Sequence, residues 1–374
     1  MPHFLLYNIF IIKSTIIPNF VLPGLYLGKM TYNKYRNISE KKMRGIKIIG
    51  TGMYVPETAV TNDWLSTILD TNDEWIYTRT GIRERRVSVD KPNFYMAEQA
   101  ALAAVKNSGI DPAGIDLVLA ATCSPDFFYP ALSCLVQHTV GAENAAAFDI
   151  NSACTGFINA LDTASRFLQD GDYNNILIVA SERLAPHCDY TDRSASILFG
   201  DGAGAAVVTR SGKPMWSYLS AKGDYFNALY CKVDHSRANC PLLKEDTIPE
   251  GLIDSEAKTH TLQMNGKAVY KFAVDAMQTA VNKVLERSGL TKEDIDLYIP
   301  HQANARIIES AVKGLEIPEE KVYVNLEKRG NTSSACIPTC LAELSEVGRL
   351  KDGMKICLVG FGAGLTSGAI VFEQ

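Results

Sequence analysis

Ile115-Asp116-Leu117-Val118-Leu119, led in by Ser108-Gly109, returns 180 residues later as Ile295-Asp296-Leu297-Tyr298-Ile299, led in by Ser288-Gly289. Each copy follows a stretch, residues 96–107 and 276–287, with small and apolar side chains at helical spacing. The same offset relates Ile176-Leu177-Ile178-Val179-Ala180 to Ile356-Cys357-Leu358-Val359-Gly360. One such pair could arise by chance, whereas two pairs in register suggest related halves. Apolar strands alternate with helices in each half, which predicts α/β layering. The strands at 118–122, 147–150 and 176–180 are nearly continuous apolar runs, the pattern of strands buried on both faces. Two such halves place an active site at their junction, where loops from both converge.

Composition bounds the rest. The 374 residues are 47% hydrophobic and 21% charged, ordinary for a soluble globular protein. A net charge of −5 without a dominant basic stripe argues against general nucleic-acid binding. Small anionic substrates at a local basic patch stay open. The nine cysteines are odd in number and contain no CxxC pair, so they fit neither a zinc site nor a disulfide framework. They suit a reducing cytoplasm in which most are small buried apolar residues. Residues 1–42 carry six basic residues and one acid, leaving the remainder at −10. Their apolar run at 4–12 is too short to span a bilayer and lacks a preceding positive region. We read 1–42 as a disordered or spurious extension, with a targeting peptide as the alternative. Residues 43–215 then form an N-terminal half with a nucleophilic cysteine, and 216–374 a C-terminal half. Arg44-Gly45-Ile46-Lys47-Ile48-Ile49-Gly50 reads as the first strand and turn.

Ala147-Phe148-Asp149-Ile150-Asn151-Ser152-Ala153-Cys154-Thr155-Gly156-Phe157 reads as strand, tight turn, then helix. The helix is expected from about residue 154 to 169, with Phe157, Ala160, Leu161, Ala164 and Leu168 on one face. Any one of nine cysteines is ordinarily an inert packed thiol, but Cys154 at a helix N-terminus stands apart. The partial positive charge there is expected to lower its pKa, so that the thiolate depends chiefly on the helix. His301, in Ile299-Pro300-His301-Gln302-Ala303-Asn304, follows the repeated strand and is placed to point into the crevice of an α/β fold. A lone histidine is ordinarily just a hydrogen-bonded residue, yet the other five have no comparable setting. Asn331 sits in Lys328-Arg329-Gly330-Asn331-Thr332-Ser333-Ser334-Ala335, which by itself would read as turn or cap chemistry. The glycine-rich stretches Gly200–Gly204 and Gly360–Gly364 match neither dinucleotide nor phosphate-loop patterns. The second could aim a backbone N–H at an oxyanion.

These segments carry a resemblance. From about Met43 to Gln374 the sequence resembles the 3-oxoacyl-[acyl-carrier-protein] synthase III family of the thiolase-like superfamily. The matching motifs are Asp149-Ile150-Asn151-Ser152-Ala153-Cys154-Thr155-Gly156-Phe157, Pro300-His301-Gln302-Ala303-Asn304 and Gly330-Asn331-Thr332-Ser333. Two more are Asp73-Glu74-Trp75-Ile76-Tyr77-Thr78-Arg79-Thr80-Gly81-Ile82-Arg83 and Phe199-Gly200-Asp201-Gly202-Ala203-Gly204-Ala205. The resemblance implies a five-layered α/β/α/β/α fold of two pseudo-duplicated halves, usually a homodimer. It implies Cys154, His301 and Asn331 as the catalytic set, unlike thiolases with a second cysteine or elongating synthases with two histidines. Amides of Cys154 and Ala363 would hold an oxyanion. Ala363 departs from the family's three glycines, though a backbone amide still donates. Trp75 and Arg193 would flank the adenine of coenzyme A, and Arg79, Thr80, Lys267 and Asn304 would line the pantetheine tunnel. Lys271, Arg306 and Lys313 would meet the acidic acyl carrier protein. Phe361 would line the acyl pocket, and Tyr129 that of the partner subunit, where its ring suggests a short starter.

The reaction so implied joins a short acyl-coenzyme A, acetyl or similar, to malonyl-acyl carrier protein with loss of carbon dioxide, initiating fatty acid synthesis. It needs no cofactor, metal, membrane or nucleic acid, and His301 acts as a neutral donor. The alternative is a related condensing enzyme of secondary metabolism acting on other acyl groups. A non-catalytic acyl or coenzyme A binder is disfavoured by the complete Cys/His/Asn set, and a dehydrogenase by the missing dinucleotide fingerprint.

Overall fold

The apolar runs pair into two main sheets. The computed structural model of the chain describes residues 44–233 and 258–374; the expectations for residues 1–42, and Cys240, lie outside these. The first sheet contains β1 (Ile46–Tyr54), β2 (Leu117–Ala121), β3 (Ala146–Ile150), β4 (Asn175–Glu182) and β5 (Gly202–Arg210), in the order β1-β5-β4-β2-β3. The second contains β6 (Trp216–Ala221), β7 (Leu297–Pro300), β8 (Lys355–Gly362) and β9 (Thr366–Glu373), in the order β7-β8-β9-β6. β2 runs parallel to β4 as β7 does to β8, and β4–β5 and β8–β9 are both antiparallel.

The repeat survives down to register. Leu117 pairs with Ile176 and Leu297 with Ile356, so both partners shift by the same 180 residues. Gly109 and Gly289 end the helices α2 (Asn93–Ser108) and α5 (Gly266–Ser288) with φ of 70° and 71°. Glycine adopts that left-handed turn without the Cβ penalty. The counterpart of β3 in the second half shrinks to an isolated bridge between Tyr298 and Val322.

Side-chain alternation along the strands builds the layers. Val118 and Ala120 of β2 pack with α2 and α3 (Leu132–Val140), while Leu117, Leu119 and Ala121 pack with α4 (Gly156–Asp170) and α7 (Cys336–Glu346). In β8, Ile356 and Leu358 join the same central helices, and Cys357, Val359 and Phe361 pack with α5 and α6 (Ala305–Leu315). The result is the expected five-layered α/β/α/β/α fold, with α4 and α7 sandwiched between the sheets.

Two local expectations are corrected. β3 is not buried on both faces: it is an edge strand whose residues alternate between exposed and half-buried, and Phe148 is 38% exposed. Its apolar character belongs to an edge with nothing paired outside it among the described residues. The helix expected from residue 154 begins at Gly156, because Ala153–Thr155 wind into a tighter 3-10 turn. The predicted inner face is correct, since Phe157, Ala160, Leu161, Ala164 and Leu168 are all buried. Among the described residues no helix is long and apolar enough to cross a membrane, and no group of three or more His, Cys, Asp or Glu residues is arranged to hold a metal ion.

Candidate active site

Cys154 is presented by a strained turn. Leaving β3, the chain enters Ala153 with φ of +45°, a left-handed conformation that costs a non-glycine residue about 1–2 kcal/mol. The turn is held by Thr155, whose N–H and hydroxyl both donate to the Ser152 carbonyl at 3.1 and 2.9 Å. The Cys154 sulfur faces inward, with the residue 8% exposed. The Ser333 hydroxyl donates to it at 3.4 Å, and the backbone of Ala363 hydrogen-bonds it as well. The Ala363 amide therefore reaches the sulfur despite its methyl group. The close approach requires glycine next door: a Cβ at Gly362 would lie 2.9 Å from the Cys154 nitrogen.

His301 caps β7, its N–H donating to the Val359 carbonyl at 2.8 Å. It is 1% exposed, yet neither ring nitrogen finds a partner among the described residues. Leaving a buried polar group unpaired costs on the order of 1–3 kcal/mol, so two such atoms point to a role outside the fold's own bonding. Phe361 packs edge-on against the imidazole, with ring centroids 5.5 Å apart. A Cβ at Gly360 would lie 3.3 Å from the His301 Cβ. Gly360 and Gly362 share one face of β8, about 6.6 Å apart, so a single strand face runs past both His301 and Cys154.

The Asn331 loop is stitched to the first half of the chain. Asn331 N–H donates to the Leu198 carbonyl at 2.9 Å, and the Gly200 N–H donates back to the Asn331 carbonyl at 3.0 Å. The Gly200–Gly204 stretch is thus scaffold: Asp201 accepts backbone N–H groups from Ser88, Leu184 and Ala185. Asn331 Oδ1 accepts the Ser333 N–H at 2.9 Å. That bond fixes the amide so that Nδ2 remains as the group to donate.

The charge states depart from one expectation. Burial pushes the Cys154 thiol from 9.0 up to about 12, against the pull of the Ser333 hydroxyl and the Ala363 amide. This amounts to about 4 kcal/mol against the thiolate, whereas a helix N-terminus returns at most about 2 kcal/mol. The Cys154 side chain rests as a thiol. Burial alone drives the His301 imidazole from 6.5 down to about 3, so it is neutral at neutral pH, as a hydrogen-bond donor requires.

The histidine has a stability consequence. Unfolded, it takes up a proton below its ordinary value of 6.5; folded, it does so only near 3. Its contribution is therefore present above 6.5 and lost as pH falls toward 3. We expect it to cost up to about 1.4 kcal/mol per pH unit in that window. Urea melts from pH 7 to 4 should show a shallower loss for His301→Ala than for the parent chain; equal slopes would refute the assignment.

Residues 148–223 and 285–374 match the family descriptions "3-Oxoacyl-[acyl-carrier-protein (ACP)] synthase III" and its C-terminal part, and so include Cys154, His301 and Asn331. The Beta-ketoacyl-[acyl-carrier-protein] synthase III of Clostridium acetobutylicum is 46% identical over 334 residues, covering 88% of this chain and 99% of the relative. The chain belongs to the β-ketoacyl-[acyl-carrier-protein] synthase III family. Among solved structures, 3-oxoacyl-[acyl-carrier-protein] synthase III from Aquifex aeolicus VF5 superposes with a TM-score of 0.79 at 40% identity, covering 88% of this chain and all of that one. The priming β-ketosynthase of the R1128 polyketide biosynthetic pathway gives 0.79 at 36% identity, covering 89% and 98%. As a family member the chain is an acyltransferase, a condensing enzyme that initiates fatty acid synthesis.

The synthase places its remaining expected residues unevenly. The Arg79 and Arg193 guanidiniums lie 4.3 and 4.4 Å from the centre of the Trp75 ring. Asn304 caps α6 through Oδ1 and donates Nδ2 to the Arg79 carbonyl at 3.0 Å, tying the helix Asp73–Thr80 to the second half. Thr80 is buried, and its hydroxyl is spent on the Ile76 carbonyl and the Ile82 N–H, beside the Gly81 cap that ends the helix with φ of 74°. Lys267 is exposed in the first turn of α5. Lys271, Arg306 and Lys313 are exposed and make no ion pair among the described residues. Phe361 is buried beside His301, whereas Tyr129 is 87% exposed, next to Phe128 at 83%.

Sequence reasoning missed Ser333 on the Cys154 sulfur and Cys123, whose thiol lies 3.9 Å from the Ser333 hydroxyl. Only the repeat offset hinted at Ser333, which lies 180 residues after Ala153 and shares its left-handed φ, at +50°.

Proposed function

We propose that the chain moves the acyl group of a short acyl-coenzyme A, acetyl or similar, onto Cys154 and condenses it with malonyl-acyl carrier protein. The products are 3-oxoacyl-acyl carrier protein, coenzyme A and carbon dioxide. The observation that carries this reading is the convergence on one sulfur of the Ser333 hydroxyl and the Ala363 amide, with unspent donors at His301 and Asn331. The sulfur attacks the thioester carbonyl, and the thiol proton leaves with coenzyme A. Amides of Cys154 and Ala363 hold the oxyanion. His301 and Asn331 then donate to the malonyl thioester carbonyl, stabilising the enolate formed as carbon dioxide departs. The enolate carbon attacks the acyl-cysteine and expels the sulfur as a thiolate, which a proton from solvent returns to the thiol.

In this reading residues 43–215 and 216–374 are the two halves. Trp75 and Arg193 open to take the adenine between them, while Arg79, Lys267 and Asn304 border the pantetheine. Thr80, the last residue of its helix, contributes by bracing that end through its bonds to the Ile76 carbonyl and the Ile82 N–H. The chain acts as a cytoplasmic homodimer, without cofactor or metal. The unpaired β3 edge and the exposed Phe127, Phe128 and Tyr129 support the dimer, with Tyr129 closing the acyl pocket of the partner subunit beside Phe361. Product masses from a panel of acyl-coenzyme A starters with malonyl-acyl carrier protein test the assignment. Acetyl-derived product should dominate. The likeness to the polyketide priming ketosynthase favours a second reading, a condensing enzyme of secondary metabolism, which a preference for longer or branched starters would support.

Lys271, Arg306 and Lys313 form the docking patch for the acidic carrier protein. Rim charges act on association more than on chemistry. Arg306→Glu should raise KM for malonyl-acyl carrier protein several-fold and flatten its salt dependence, while turnover with malonyl-coenzyme A changes less. Equal losses with both donors would remove the docking role.

A further inference from the structure

The repeat pairs Cys154 with Ser334 and Glu182 with Gly362, each 180 residues apart. Glu182 and Gly362 are the last residues of β4 and β8, and Cys154 and Ser334 each follow a left-handed residue, Ala153 and Ser333. The two junctions are therefore built alike and filled differently. At one, Gly362 leaves room for the backbone and Cβ of Cys154. At the other, a carboxylate fills the space and grips the residue in the cysteine's place.

Glu182 is wholly buried and has no ion pair among the described residues. Its oxygens accept from the hydroxyls of Ser334 and Ser124 at 2.6 Å each, the Cys123 N–H at 3.1 Å, the Thr122 hydroxyl at 3.3 Å and the Cys123 thiol at 3.4 Å. A buried carboxylate is costly to hold, and full satisfaction of its lone pairs makes such a network rigid. Ser334 adjoins Ser333, whose hydroxyl bonds Cys154 and whose N–H holds the Asn331 amide.

We propose that Glu182 is a positioning residue for condensation: through Ser334 it pins the 331–335 turn, so that Ser333 and Asn331 keep their aim at the Cys154 site. The inference rests on the proposed function and goes beyond it. Glu182→Gln keeps the shape but turns an amide NH2 toward groups that themselves donate. Displacing a reacting group by about 1 Å costs on the order of 10²-fold in rate. We expect kcat for malonyl decarboxylation to fall about 10²-fold with KM nearly unchanged, while Cys154 still takes one acyl label per chain. A role confined to stability would lower the melting temperature and the labelled fraction and leave kcat per labelled site untouched. Ser334→Ala should give the same kcat loss, and the double variant no further loss, because both break one link. If Glu182→Gln does not fold, Ser334→Ala alone carries the test, with the same kcat loss expected. Variants that match the parent kcat, or losses that multiply in the double variant, overturn the positioning role alone. A parent chain that takes no acyl label on Cys154 overturns the proposed function first and this inference with it.

Discussion

Cys154→Ala is expected to abolish acyl-enzyme formation and condensation while malonyl decarboxylation continues. On the proposed function the substitution removes the atom that attacks the starter thioester, and no neighbour replaces it. The Ser333 hydroxyl, the nearest alternative, is held as a donor to that sulfur and carries no base of its own. The donors proposed for decarboxylation are untouched: His301 keeps both nitrogens, unpartnered among the described residues, and the Asn331 amide is fixed by the Ser333 backbone rather than by the thiol. Mass detection of the acylated chain, alongside labelled carbon dioxide release, reads the two half-reactions separately. Any 3-oxoacyl product from Cys154→Ala would remove the nucleophile assignment.

Asn331→Ala is expected to do the reverse. Cys154 should still take label from acyl-coenzyme A, while decarboxylation falls by about 10²–10³, the loss of roughly 2.7–4 kcal/mol that accompanies one preorganised donor. The effect is confined to the second half-reaction because the role proposed for Asn331 is donation from Nδ2 to the enolate, its Oδ1 being already engaged by the Ser333 N–H. His301→Ala should share this decarboxylation defect and add another. With the Cys154 thiol held near 12 by burial, acylation starts from S–H, and the neutral imidazole, its basicity lowered by the same burial, is assigned to polarising that S–H rather than to taking the proton outright. Acylation should therefore slow in His301→Ala and not in Asn331→Ala. Decarboxylation at the parent rate in Asn331→Ala, or equal acylation in both variants, would overturn this division of roles.

Much of the architecture was legible along the chain because strand alternation and helix spacing are local properties. The recurrence of one strand motif at a 180-residue offset implied two alike halves, and the strand register repeats the same number. The strand–turn–helix around Cys154 and the strand end before His301 were likewise visible, since each is set by residues within a few positions. The edge position of β3 was not visible, because an apolar strand reads the same whether a neighbour covers it or not.

The layering, the duplication and the three chemically able side chains are all written along the chain. Their environment was decided only by the tertiary structure. A helix N-terminus argues for a thiolate, but burial between two sheets depends on the whole fold and outweighs it, leaving a thiol at Cys154. Glu182 and Ser334 stand 152 residues apart and carry no shared local pattern. They meet because β4 and the 331–335 turn come from opposite halves and close on the same junction. Hydrogen bonds across such distances follow from packing, which no local window of sequence records.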